Sequence, residues 1–285
     1  MVLKMSDDLI NRATSQLAAR LTRNNGYLAR QEISSLLENL KADKRRLEPF
    51  GFKVYSQADE DGVIETIMDR LQLGAGVFCE IGVENGLECN SLYLIHKGWK
   101  GVWVEGGARH VNFISEKFGS LIPGKLEVAH QMVTADNINT IMNSSRILGD
   151  GIDFLSIDID GNDIYLLDAL ASRPKVICIE YNAKFPAHLS KRQIYDPNRH
   201  WQGTDYMGAS LKSITEVAGA KGYQLVGTNL VGSNAFFVRR DLAADLFCED
   251  CSPEYLYNPP RYWLIFDHYS QIGHRADFGP YADLL

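Results

Sequence analysis

Residues 153–163 read DFLSIDIDGND. Phe154 to Ile159 has the apolar character of a buried strand, yet four aspartates fall within these eleven residues. Ionised carboxylates are rarely buried without partners, because stripping water from the charge is costly. The next segment, DIYLLDALASRP (163–174), reads as a helix and leads into a second apolar run, KVICIEYN (175–182). Strand, crossover helix and strand make the unit of a parallel sheet, and apolar strands without alternation belong to a sheet covered on both faces. The acids then sit at strand ends.

The same rhythm extends in both directions. Upstream, SQADEDGVIETIMDRLQLGAG (56–76) predicts a helix opened by a capping box of Ser56 with Asp59. GVFCEIGV (76–83), KGVWVEGG (100–107) and LEVAHQMVT (126–134) predict strands, with a helix through SLYLIHKG (91–98). Downstream, GASLKSITEVAGAKG (208–222) is helical, and YQLVGTNLV (223–231) with NAFFVRR (234–240) reads as a closing hairpin through Gly232–Ser233. The expected fold is α/β: a doubly wound, mostly parallel, seven-stranded Rossmann-like sheet with a C-terminal antiparallel hairpin and an N-terminal helical extension. The divisions are a helical cap or dimerisation segment over 1–50, a cofactor domain over 51–241 and a C-terminal tail over 242–285 packing on it. Within the first division, SDDLINRATSQLAARL and RQEISSLLENLKAD predict two amphipathic helices, the first carrying Leu9, Ile10, Ala13, Leu17 and Leu21 on one stripe.

Composition narrows the partners. A formal net charge of −7 and a pI near 5.5 disfavour nucleic acid. No apolar run is long enough to span a membrane, and the N-terminus lacks a signal-peptide core, so the expected location is cytoplasmic. Cys79 and Cys178 lie in apolar runs as reduced core residues, and the Cys248/Cys251 pair lacks the second pair that a structural zinc site needs.

In a doubly wound sheet, ligands bind beyond the carboxyl ends of the strands, where the strand order reverses. Those ends carry Glu80, Gly82 and Gly86 on the first strand, Glu105 on the second, Asp158 and Asp160 on the fourth, and Glu180, Tyr181 and Asn182 on the fifth. A dinucleotide site requires a middle glycine where the backbone meets the pyrophosphate, and here Glu84 stands between Gly82 and Gly86. With Glu80 and Glu88 nearby, it would repel phosphate. S-adenosylmethionine has no phosphate and carries an ammonium and a sulfonium, so an acid-rich edge suits it.

FCEIGVENGLECNS, VWVEGG, VTADNI and DFLSIDIDGND followed by ICIEYN resemble the successive motifs of class I S-adenosylmethionine-dependent methyltransferases, and among them the FkbM-like group. The resemblance spans residues 54–240. It implies a cofactor turn of Glu80, Gly82 and Gly86, with Glu105 on the ribose and Asp136 or Asn137 near the adenine. Asn90 or Ser91 would reach the methionine carboxylate, and Asp158 would lie beside the transferred methyl. GVENGLECNS is more acidic than the usual loop and differently spaced.

Related enzymes that bind magnesium hold it at the ends of the fourth and fifth strands, where this chain offers Asp158, Glu180 and Asn182. The loop after the fifth strand contributes His188 and His200 as candidate bases, and Trp201, Tyr206 and Tyr181, with Asp160, as candidate substrate contacts. His268 and His274 are further candidates in the tail. The expected activity is O-methylation of a hydroxyl on a sugar or other small metabolite, with homo-oligomerisation through the N-terminal helices as an option. A Rossmann-type NAD(P)-dependent oxidoreductase and a non-catalytic cofactor-fold scaffold are the alternatives.

Overall fold

The apolar runs form strands where the pattern places them. In the computed structural model, which describes residues 2–149, 151–264 and 278, they are β1 (Val77–Ile81), β2 (Lys100–Glu105), β3 (Leu126–His130), β4 (Phe154–Ile157) and β5 (Val176–Glu180). The hairpin supplies β6 (Tyr223–Thr228) and β7 (Asn234–Arg239). The single sheet runs in the order β3-β2-β1-β4-β5-β7-β6, with β7 antiparallel to both of its neighbours. This is a doubly wound, Rossmann-like α/β fold, and its order reverses between β1 and β4.

Helices cover both faces: α1 (Val2–Leu40), α2 (Glu60–Arg70), α3 (Leu92–His96), α4 (Ala108–Lys117), α5 (Ile138–Ser144), α6 (Asp163–Ala169) and α7 (Leu211–Ala220). Alternation along the strands divides the core in two. Ile81, Val104, Leu155, Ile157, Ile179 and Phe237 pack with α5, α6 and α7 on one face. Phe78, Trp103, Phe154, Cys178 and Phe236 pack with α2 and α3 on the other. Glu80 and Ser156 point to this second face by the same alternation.

Three expectations are corrected. The N-terminal segment is one continuous helix of 39 residues, because Ala29 and Ile33 anchor its last third against Leu230, Val231 and Leu264, and this packing overrides the weak helix propensity of Asn24, Asn25 and Gly26. Among the described residues the stripe of Leu9, Ile10, Leu17 and Leu21 is 53–65% exposed. The helix-opening pair is Ser56 with Asp61: the Ser56 hydroxyl accepts from Asp61 N–H at 3.1 Å while the Asp61 carboxylate accepts from Ser56 N–H at 3.0 Å. Last, α6 ends at Ala169, before Pro174, and β4 ends at Ile157, two residues before Ile159. Of the tail, residues 258–264 lie on the β6–β7 turn, where Arg261 N–H donates to the Val231 carbonyl at 2.8 Å. His268 and His274 fall outside the described residues.

Gly82 holds a left-handed φ of +84°, and a Cβ there would strike the Asp158 carbonyl oxygen. Gly82→Ala is therefore expected to lower unfolding stability in urea by more than ~2 kcal/mol. Gly74→Ala, where a Cβ meets nothing within 4 Å, should change it by less than ~0.5 kcal/mol.

Candidate functional site

Strand register builds the site. Ile81 pairs with Val104 and Ile157, Ile157 with Ile179, and Glu180 with Asn234. One step past the paired residues, Glu105, Gly82, Asp158, Glu180 and Asn234 line up across the carboxyl edge from β2 to β7. The four polar side chains lie on the α2–α3 face by alternation, spread on either side of the point where strand order reverses.

The β1 end is more committed to itself than the motif suggests. Both Glu80 oxygens are occupied: one accepts from Asn90 N–H at 2.7 Å, the other from Ser91 N–H at 2.8 Å and from the Ser91 hydroxyl. Burial raises the Glu80 pKa against these bonds. Glu80 thus pins the start of α3 and, with only 3% of its surface exposed, faces the core rather than a ligand. Ser91 is fully enclosed, also accepting from the Trp103 indole at 2.8 Å, so it cannot reach a cofactor carboxylate. Asn90 donates to Ser156 Oγ at 3.0 Å. Gly86 is required because a Cβ would come within 2.6 Å of the Trp103 ring. Glu105 accepts from Glu84 N–H at 2.8 Å and Gly107 N–H at 2.7 Å, with His110 Nδ1 at 3.5 Å. These bonds hold Glu84 at a left-handed φ of +48° and shape the turn. Past β3, Asp136 is exposed, and the Asn137 side chain bonds Thr134 N–H and the Met132 carbonyl to form the entry to α5.

The β4–β5 end differs. Asp158, Asp160 and Glu180 each bring a carboxylate oxygen to within 4.8 Å of the others. Asp158 and Asp160 meet because the chain turns after Ile157, with Asp160 at φ +55° and Asp163 accepting from Ile159 N–H at 2.9 Å and Gly161 N–H at 2.8 Å. Glu180 Oε2 is buried without a partner. Such an acceptor loses its water without compensation, which native structures rarely tolerate unless a ligand, ion or water completes it. Burial, then the Asp163, Asp160, Glu80 and Glu60 charges, hold Asp158 well above the usual carboxylate range. Burial with Asp158, Asp163 and Asp160 does the same to Glu180, and burial and Glu84 raise Asp160. Among the described residues no lysine or arginine forms an ion pair with the trio.

Two expected members fall away. Asn182 donates to the Asp205 and Met207 carbonyls at 2.9 and 2.8 Å and accepts from Lys184 N–H, so it anchors the following loop, and Asp160 takes its place in the carboxylate group. Tyr181 is fully buried, its hydroxyl donating to the Asn258 carbonyl at 2.6 Å, and offers no stacking surface. The loop over 184–209 returns across the aspartate turn: Gln193 lies against Gly161, and Asn162 donates to the Asp196 carbonyl at 2.8 Å. His188, His200, Trp201 and Tyr206 are exposed on it, with the Arg199 guanidinium 4.4 Å from the Tyr206 ring centre.

Sequence reasoning missed Glu60, Asn234 and Tyr262. Glu60 is fully buried at the start of α2 and accepts from Asn229 Nδ2 at 2.6 Å, Asn234 Nδ2 at 3.1 Å and Ala58 N–H at 2.8 Å. Three successive acids in SQADED were the available signal, read only as a helix start. The Tyr181 hydroxyl bond to the Asn258 carbonyl places the 258–264 segment near β5, and burial with the Glu180 carboxylate pushes the Tyr262 phenol up to about 12.

No family model matches the chain, and no curated protein matches it. Solved structures do. An O-methyltransferase from Bacillus cereus in complex with S-adenosylhomocysteine is 16% identical over 72% of this chain and 88% of its own, with a TM-score of 0.40. The magnesium protoporphyrin IX methyltransferase of Synechocystis is 13% identical, covering 64% and 82%, with a TM-score of 0.42. The O-methyltransferase TomG of Streptomyces achromogenes is 15% identical, covering 62% and 78%, with a TM-score of 0.39. The fold assignment rests on this chain's own strand order and register.

The buried acids set a pH dependence. Burial and the Glu60 charge push Asp59 up to about 8, and burial pushes Asp163 up to about 6. A carboxyl with a raised folded-state pKa binds more protons folded than unfolded, so its contribution is complete below about pH 4 and is lost as pH rises through the folded value. Stability should fall between about pH 4 and 8, and Asp59→Asn should flatten that slope in urea titrations at several pH values. Parallel slopes would remove Asp59 from the account.

Proposed function

We propose that the chain is an S-adenosylmethionine-dependent methyltransferase of the FkbM-like kind, acting on a hydroxyl of a sugar or other small metabolite. The observation that carries this reading is the polar row across the switch point, with Glu105 at one end and the unpaired Asp158–Asp160–Glu180 carboxylates at the other. Its negative charge suits an ammonium and a sulfonium and opposes a pyrophosphate, while Glu84 occupies the position where a dinucleotide needs glycine. Those features weigh against the oxidoreductase, and the unpartnered Glu180 Oε2 weighs against a scaffold without a ligand.

The cofactor supplies an electrophilic methyl group on sulfur. Glu105 accepts from the ribose hydroxyls, with the β1 turn beneath the cofactor and Asp136 at its adenine end. Asp158 lies beside the methionine end. Bound there, the cofactor would supply a methyl carbon for in-line attack by the acceptor oxygen, with the carbon–sulfur electron pair returning to sulfur, and the chain's part would be to align the two and receive the hydroxyl proton. Alignment contributes a large part of the rate. In this reading Asp158 or Glu180, in its ionised form, accepts the proton. Metal assistance belongs to the same proposal. Asp158, Asp160 and the unpartnered Oε2 of Glu180 fit a magnesium ion, which takes a few carboxylates together with water and substrate oxygens. Such an ion supplies Lewis acidity that lowers the pKa of a bound hydroxyl.

Calorimetric titration with S-adenosylmethionine, without and with magnesium and against NADH, tests the reading. Binding of the sulfonium cofactor alone is expected, and binding of NADH alone would favour the oxidoreductase. Glu105→Ala should weaken cofactor binding by about 1–3 kcal/mol. Asp158→Asn should abolish methyl transfer while leaving the thermal unfolding transition in place.

A further inference from the structure

The row does not end at the carboxylates. Asn234, at the start of β7, stands directly opposite Glu180 and is 5% exposed. Its amide nitrogen donates to Glu60 Oε1, while its Oδ1 is buried and has no partner. The orientation is decided by charge: turning the amide over would bring Oδ1 against the Glu60 carboxylate. Glu60 is fixed in turn by Asn229 and by Ala58 N–H. Glu180 Oε2 and Asn234 Oδ1 are therefore two unsatisfied acceptors on cross-strand neighbours, whose Cβ atoms in an antiparallel pair lie about 5 Å apart.

From the direction of the row, we infer that Asn234 is a specificity-determining residue for the methyl acceptor, its Oδ1 receiving a hydroxyl adjacent to the one directed at Asp158 and Glu180. The ligand class is an uncharged vicinal diol. This rests on the methyltransferase reading, in which the cofactor occupies the row from Glu105 to Asp158 and leaves the Glu180–Asn234 end to the acceptor. With Glu180 ionised, as the proton-accepting role requires, both unpartnered groups accept, so the acceptor has to bring two neighbouring donors. Glu60, Asp158 and Glu180 repel a phosphate or carboxylate at this end, which excludes phosphorylated sugars and sugar acids. Glu60 is a positioning residue: it holds the Asn234 oxygen toward the ligand.

The test uses the full chain loaded with S-adenosylhomocysteine and ligand-observed NMR titrations of cis-1,2- and cis-1,3-cyclohexanediol. The 1,2-diol should bind about fivefold more tightly or better, the value of one hydrogen bond. Asn234→Leu should erase that preference with the homocysteine affinity unchanged. Asn234→Ser, which keeps a polar group but not its reach, should do the same if the leucine variant unfolds. Glu60→Gln, which lets the amide turn over, should reduce the preference. Equal binding of the two diols overturns the proposal, as does the absence of either signal while the homocysteine is bound, or an unchanged preference in the Asn234 variants. Failure of the homocysteine itself to bind overturns the cofactor reading and this inference with it.

Discussion

At the centre of the sheet the backbone of Gly82 passes so close to the carbonyl of Asp158 that no side chain fits between them. This approach sets the rest of the site. Because β1 and β4 touch where strand order reverses, their continuations are forced apart, one into the turn around Glu84 and the other into the aspartate turn. The crevice between those turns is where a doubly wound sheet binds ligand. A positive φ at Gly82 lets the first turn leave the sheet, and Glu105 then holds it through Glu84 N–H.

The carboxylates form two populations. Glu80, Asp61 and Asp163 accept backbone N–H groups and organise the chain: Glu80 pins the start of α3, Asp61 gathers Val54, Tyr55 and Ser56, and Asp163 closes the aspartate turn. Asp158, Asp160 and Glu180 close nothing. They are held near one another in a partly buried place, where mutual repulsion adds to the cost of removing water. Such an arrangement is unfavourable for the empty protein, and functional sites are where that kind of cost is concentrated.

The loop after β5 connects the two populations. Asn182 ties its far end back to β5, and Gln193 and Asn162 tie its middle to the aspartate turn. It is therefore held beside the aspartate turn, with Trp201 and Tyr206 exposed on it. On the opposite side α2 presents Glu60, so the acceptor end of the crevice lies between two elements that are distant in sequence.

The amino-acid sequence by itself determined the strands, their parallel order up to β5, the closing hairpin and the delivery of acids to one edge. Those features depend on local apolar runs and on alternation, which any stretch of chain carries within itself. The end of α6 was less legible, since its apolar pattern continues past Ala169 toward Pro174. So was the unbroken α1, because its support comes from remote residues, Leu230, Val231 and Leu264, packed on Ala29 and Ile33. Tertiary structure alone decided which acids are occupied and which are left open. Glu80 and Glu180 look alike as strand-end glutamates, yet one meets the start of α3 and the other keeps an oxygen with no donor among the described residues. The partners of a buried carboxylate come from remote segments, as Asn229 and Asn234 come to Glu60, and no local pattern in SQADED announces them.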